Sequence, residues 1–315
     1  MCNFSSPLVH HVMLTDLLAF LRALFIGTGG GGTSYSRIAR DLLVYGLAAA
    51  LGCARRWLRL EGAASPTALP EAPPPLPGTE PVDDESLVSV VIPTYNEGDG
   101  ITEAVRAALR DAHVEVVVAD GGSTDGTAER ARAAGARVVD APPGRASCQN
   151  AGAAAARGAI LLFLHGDTLL PEAWGETLRA ALRQPRVAIA AYRLSLYPRL
   201  PGISLIEWGT HRRSSRRGLP YGDQALGLRR EVFDALGGFP VQPFLEDLHL
   251  VLEARRRGVV LTMDASVRSS ARRWELNGVL GNTFRNQCVL LGYMVGVPIP
   301  RIAEWYYGAQ GKKKY

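Results

Sequence analysis

From residue 87 onward, short β-branched runs alternate with helix-length segments rich in alanine and arginine. Residues 88–92, 114–119, 137–140 and 160–164 read as strands, and residues 100–111, 125–134 and 146–157 between them read as helices. These strands are apolar on both faces, so neither face of their sheet can lie against water. Helices between such strands cover both faces and make the pairing parallel. The pattern predicts an α/β doubly wound domain, a Rossmann-like, mostly parallel sheet with helices on both faces. In sheets of this kind, ligands gather at the carboxyl ends of the strands.

Each predicted strand is followed by polar residues able to do chemistry. Pro93-Thr94-Tyr95-Asn96-Glu97 follows the first, and Asp120-Gly121-Gly122-Ser123-Thr124-Asp125-Gly126-Thr127 the second. Pro142-Pro143-Gly144-Arg145 follows the third and His165-Gly166-Asp167-Thr168 the fourth. Asp120 ends an apolar run, where a carboxylate is costly unless paired, and there it can accept a hydrogen bond from a nucleobase. Asp125, Thr124 and Ser123 serve equally as helix caps or as ligand contacts. A divalent cation bridging two phosphates takes most of its ligands from water and phosphate oxygens, so Asp167 alone can hold one. His165 points to the same face, as a cation ligand or as a hydrogen-bond donor. Arg145, after a glycine and at a helix start, suits a phosphate. Glu246 and Asp247 open a helix over residues 246–257, where acids also complement the macrodipole.

Several classes are excluded. No G-x-G-x-x-G or G-x-x-x-x-G-K-[ST] element follows the first strand, which argues against a dinucleotide fold and a P-loop. A formal net charge of +5 with scattered arginines does not describe a nucleic-acid binder, but it suits a diphosphate ligand or an anionic membrane surface. Cys2, Cys53, Cys148 and Cys288 lie far apart and read as free thiols in a reducing compartment.

The ordered motifs together resemble family 2 glycosyltransferases with the GT-A fold, over residues 88–308, and are most similar to the radical-SAM/selenodomain-associated transferase subgroup. The resemblance implies that Pro93, Thr94, Tyr95 and Glu97 contribute to nucleotide binding and that Asp120 contacts the base. It equates His165-Gly166-Asp167 with the family's D-x-D, histidine replacing the first aspartate and Asp167 keeping the metal contact. It makes Asp247, beside Glu246, the catalytic base. Tyr221-Gly222-Asp223-Gln224 corresponds to an acceptor-side segment, and Arg272, Arg273 and Trp274 to an element that closes over the diphosphate. The implied reaction is inverting transfer from a nucleoside-diphosphate sugar, UDP-linked ahead of GDP-linked, to an acceptor hydroxyl of a lipid, glycan or small molecule. A divalent cation, Mn2+ or Mg2+, is implied with it. The rival readings are a nucleotidylyltransferase of related fold, which needs a glycine-rich basic loop after the first strand, and a nucleotide-sugar-binding protein without catalysis.

Flanking segments complete the expected organisation. Residues 1–86 form an N-terminal extension with a glycine run and a proline-rich linker at residues 65–81. Its apolar stretches are too short to span a bilayer. Its arginines suit a plastid or mitochondrial transit peptide, whereas a surface hairpin or a plain extension leaves the protein cytoplasmic or membrane-peripheral. Residues 87–270 form the catalytic domain. Residues 271–315 carry the closing element, an apolar helix over residues 288–299 and a basic tail, packed in a core or lying at a membrane surface.

Overall fold

The computed structural model describes residues 82–307; the expectations for the N-terminal extension, for Cys2 and Cys53 and for the basic tail lie outside them. The described residues fall into two compact units, the first ending at Phe284 and the second beginning at Arg285.

The first unit opens with β1 (Val88–Thr94), α1 (Gly100–Ala108), β2 (Val114–Asp120), α2 (Thr127–Ala133), β3 (Arg137–Asp140), α3 (Arg145–Ala155) and β4 (Ile160–Phe163). It continues through β5 (Thr168–Leu169), α4 (Trp174–Leu182), β6 (Val187–Tyr197), α5 (Ile203–Arg217), β7 (Leu226–Arg229), α6 (Arg230–Leu236), α7 (Glu246–Arg257) and β8 (Val259–Ser270). The eight strands form one sheet in the order β3-β2-β1-β4-β7-β6-β8-β5. From β3 to β4 the pairing is parallel. β7 is antiparallel to both β4 and β6, β8 runs parallel to β6, and β5 is antiparallel to β8. The chain therefore builds outward from β1 in both directions, and the β1/β4 boundary is the switch point at which such sheets leave a crevice.

Strand alternation sorts the apolar residues into two cores. Val88, Val90, Ile92, Val116, Val118, Ile160 and Leu162 face the first, with Ile101, Ala104, Val105 and Ala108 of α1 and Trp174 and Leu178 of α4. Val91, Val117, Leu161 and Phe163 face the second, with Ala146 and Ala153 of α3 and Val251 and Ala254 of α7. Helices thus cover both faces, as the double-sided apolarity of the strands requires. Helix α3 lies so close to β1 that a Cβ at Gly152 would stand 2.4 Å from Val91 Cγ1, so only glycine fits there.

Three expected boundaries shift for local reasons. Helix α1 stops at Ala108 instead of 111, and Asp111 beyond it receives two hydrogen bonds from Arg179. Helix α2 begins at Thr127 instead of 125, because the Asp125 carboxylate accepts the Thr127 amide and hydroxyl. The apolar run at 288–299 is not one helix. Past α8 (Arg272–Asn277), α9 (Val279–Met294) ends at a turn with Gly296 at φ 83°, and α10 (Ile299–Tyr307) follows. Among the described residues no helix is long and apolar enough to cross a membrane. In the second unit, Trp305 of α10 packs against Gly292, where a Cβ would meet the indole at 2.5 Å. Cys148 and Cys288 are free and buried, and burial raises the Cys148 thiol to about 11.

Candidate active site

The carboxyl ends of β1 and β2 are locked together before any ligand is considered. Asn96, at φ 55°, donates its amide to Ser123 Oγ at 2.9 Å and accepts the Thr124 amide at 2.9 Å. The amides of Glu97 and Gly98 reach Thr127 Oγ1 at 3.0 and 3.1 Å, and Gly98 also donates to Asp125 at 3.0 Å. Asp125 is therefore a cap and a loop tie. Asp120 is buried and well paired: it accepts Thr94 Oγ1 at 3.3 Å, the Ser123 amide at 2.9 Å and the Ser123 hydroxyl. These bonds resolve the cost of a carboxylate ending an apolar run. Pro93 is half-buried and in register with Ala119, and Tyr95 is half-buried just past β1.

Beyond β4, Gly166 gives the chain room beside Glu97, whose Cγ lies 2.9 Å from where a Gly166 Cβ would stand. Burial and then the Asp167 charge raise the Glu97 carboxyl above its ordinary range, while Arg272, Arg145 and Arg273 oppose the rise. Asp167 thus shares one field with Glu97 and three arginines. Arg272 and Arg273 open α8, whose next residue, Trp274, packs against an apolar cluster of Leu194, Leu196, Ile203 and Ala271. Trp274 anchors the helix that carries these two guanidinium groups.

The other wall comes from a 3-10 turn, Gly222–Gln224, and from the start of α7. Leu245, at φ 62°, turns the chain so that Glu246 and Asp247 enter the interior. Glu246 is buried and pairs with Arg145 at 3.2 Å. Burial raises its carboxyl, Arg145 opposes this, and Asp247 adds to it. Asp247 accepts the Gly222 amide at 2.7 Å on Oδ2 and the Leu248 amide at 2.7 Å on Oδ1. A Cβ at Gly222 would stand 2.9 Å from His165 Nε2 and 3.2 Å from Asp247 Oδ2, which brings the end of β4 and the start of α7 to one point. Burial pushes Asp223 up to about 6; Arg213 resists, and Asp247 and Asp167 add to the rise. Burial, with Arg145 and Arg273 nearby, drops His165 to about 3, so its ring is neutral at ordinary pH.

Two buried polar atoms in this wall, His165 Nε2 and Asp223 Oδ1, have no hydrogen-bond partner, whereas most buried polar atoms in folded proteins have one. Tyr221 and Gln224 are held by Arg213, which stacks 3.5 Å from the Tyr221 ring centroid and donates to Gln224 Oε1 at 3.3 Å; Gln224 in turn donates to the Tyr192 carbonyl at 2.8 Å. Arg213 is a site-shaping residue that sequence reasoning missed, and nothing local to α5 distinguishes it from neighbouring arginines.

Among the described residues, no group of three or more His, Cys, Asp or Glu converges to hold a metal unaided. The site fits a divalent cation in a narrower way. Asp167 supplies a hard oxygen donor, the carboxylates around it raise one another's affinity for positive charge, and phosphate and water would complete the shell.

This geometry defines an α/β protein whose candidate site lies at the carboxyl edge of its sheet, where carboxylates and arginines gather. Comparison narrows the class: residues 89–231 match the model of glycosyl transferase family 2. Glycosyltransferase AglE of Haloferax volcanii is 36% identical over 101 residues, covering 29% of this chain and 33% of the relative. Glucosyl-3-phosphoglycerate synthase of Mycolicibacterium paratuberculosis is 40% identical over 96 residues, covering 27% and 29%. The chain thus spans a third or less of these relatives' length. Among solved structures, the mannosyltransferase PcManGT from Pyrobaculum calidifontis, in complex with GDP-Man and Mn2+, aligns over 92% of this chain and 81% of its own, with 20% identity and a TM-score of 0.49.

Proposed function

We propose that the chain is an inverting glycosyltransferase that moves a sugar from a nucleoside-diphosphate donor to an acceptor hydroxyl. What supports this reading is the meeting of the β4 end with the α7 start at Gly222, where His165 of the Asp167 segment and Asp247 border the same point. The Thr94, Tyr95, Glu97 and Asp120 edge takes the nucleoside, and the Asp120 carboxylate suits a ring N–H of uracil or guanine. Arg145, Arg272 and Arg273 face the diphosphate, with Arg145 at a helix start that itself favours anions.

Asp247 acts as the base. It accepts the acceptor's hydroxyl proton as the new bond to the anomeric carbon forms and the bond from that carbon to the diphosphate oxygen breaks. The Gly222 amide fixes its orientation. Mn2+ or Mg2+ held by Asp167 would supply neutralisation of the departing diphosphate. Arg272 and Arg273 hold the same leaving group from the protein side, so no general acid is needed. His165, neutral and with Nε2 unpartnered beside Gly222, is available to a sugar or acceptor hydroxyl.

Thermal unfolding with UDP, GDP and their sugar conjugates, UDP first, each with and without manganese, tests this directly. A bound ligand raises the melting temperature by mass action. A rise confined to one nucleotide and dependent on manganese is expected. No rise with any of them contradicts the reading.

A further inference from the structure

Four exposed large apolar side chains of the first unit adjoin one small cluster, remote in character from the carboxylates. Leu194, Leu196, Ile203 and Ala271 are buried there, with Leu200, Ile206, Trp274 and Val279 packed against them. On its outside Tyr197, Leu205, Trp208 and Leu276 are 59%, 67%, 59% and 78% exposed. Tyr197 directly follows Leu196, Leu205 and Trp208 lie one turn apart on the outer face of α5, and Leu276 lies two residues beyond Trp274. Single exposed apolar residues are ordinary, but a group of four with two aromatics marks an interaction surface.

The charge around this group is mainly positive, with Glu275 beside Leu276 as the exposed exception. Arg212 lies over the Trp208 ring at 5.6 Å and Arg268 over the Tyr197 ring at 5.3 Å. Arg216 and Arg217 extend the exposed face to the end of α5. The only acid on the helix, Glu207, is occupied by Arg199 and by the Leu196 amide. An aromatic ring under a guanidinium is suited to a bilayer interface, where the ring sits at headgroup depth and the cation reaches a phosphate. Leucines beside such pairs add apolar burial that a purely electrostatic partner would leave unused.

We propose that this face, centred on the outer side of α5, docks on a bilayer surface that carries anionic phospholipids. The inner side of the same helix bears Arg213, which stacks on Tyr221 and holds Gln224, so docking would bring the acceptor wall of the pocket to the membrane. The inference stands on the surface alone and does not depend on the donor or the reaction.

Co-sedimentation of the full chain with phosphatidylcholine vesicles, with and without phosphatidylglycerol, tests it. Binding is expected only to the anionic vesicles. Leu205→Gln with Trp208→Ala, and separately Arg212→Glu with Arg216→Glu, should each weaken it roughly tenfold or more. All four positions are exposed, and an unchanged melting temperature confirms that the variants fold. No binding by the wild type, or undiminished binding by both double variants, overturns the proposal. So does equal loss of binding to heparin or RNA in the Leu205/Trp208 variant, or a dimer dissolved by that variant, since either would assign the face to another partner.

Discussion

Two clusters of charge, one at each edge of the central sheet, are built in opposite ways. At the amino-terminal edge Arg179, with its side chain 3% exposed, donates to both oxygens of Asp111 at 2.9 and 2.7 Å and to the carbonyls of Ser86 and His113 at 2.9 Å each. Glu115 nearby is gripped by Ser89 and Arg157, and its carboxyl is held below the ordinary range by these bonds against the opposing effect of burial. At the carboxyl edge Glu97, Asp223 and Glu246 are all raised by burial, and His165 Nε2 and Asp223 Oδ1 lack partners. A charge whose bonds are complete holds a fold together. Charges crowded by their own kind, with buried polar atoms left unpaired, mark the proposed ligand site.

That contrast predicts which variants lose chemistry and which lose stability. Asp247→Asn should show the largest effect, a fall in transfer rate of about 10²- to 10⁴-fold with nucleotide affinity nearly intact. Wild-type turnover in that variant would remove Asp247 as the base. Arg179→Ala should lower unfolding free energy by about 3 to 5 kcal/mol, because it leaves the half-buried Asp111 carboxylate and two main-chain carbonyls without their donor, while the folded fraction still binds nucleotide. Urea unfolding measures this, and a loss below about 1 kcal/mol would mean that the edge is not held by this pair.

The smallest effect is one of pH. Asp223, raised in the folded state to about 6, contributes stability that is full below its ordinary value of 3.8 and is lost as pH rises through about 6. His165, lowered to about 3, works in the other direction: its penalty falls away as pH rises from about 3 towards 6.5. The two oppose each other in the wild type, so the signature lies in a difference. Relative to wild type, Asp223→Asn should gain on the order of 2 kcal/mol between pH 4 and 7 in metal-free buffer. A difference that stays flat across this range contradicts the burial of Asp223.

Much of the first half of the fold was legible, because each apolar run from β1 to β4 breaks abruptly into polar residues, and that break marks both the strand end and the ligand edge. The second half was not. β7 enters between β4 and β6 antiparallel to both, a long-range pairing with no local signature. Helix α7 was readable in its bounds but not in its role. Alone, Glu246 and Asp247 are first-turn acids, and only Arg145, 101 residues away, and the Gly222 amide make them an interior pair. Asp120 shows the reverse. Its position suggested a ligand contact, and the structure adds a loop-closing duty that depends on Thr94, again distant in sequence. Trp274 read as part of the diphosphate-closing element, and the structure adds that it packs against the cluster of Leu194, Leu196, Ile203 and Ala271.

In the proposed cation-assisted nucleotide site at the carboxyl edge, Asp167 holds the cation and Asp247 does not. Titration calorimetry of the stabilising nucleotide, with and without manganese, on wild type, Asp167→Ala and Asp247→Asn tests it most directly. The account predicts that manganese strengthens binding in wild type and in Asp247→Asn and has no effect in Asp167→Ala. Manganese-dependent binding of wild-type strength in Asp167→Ala would contradict it.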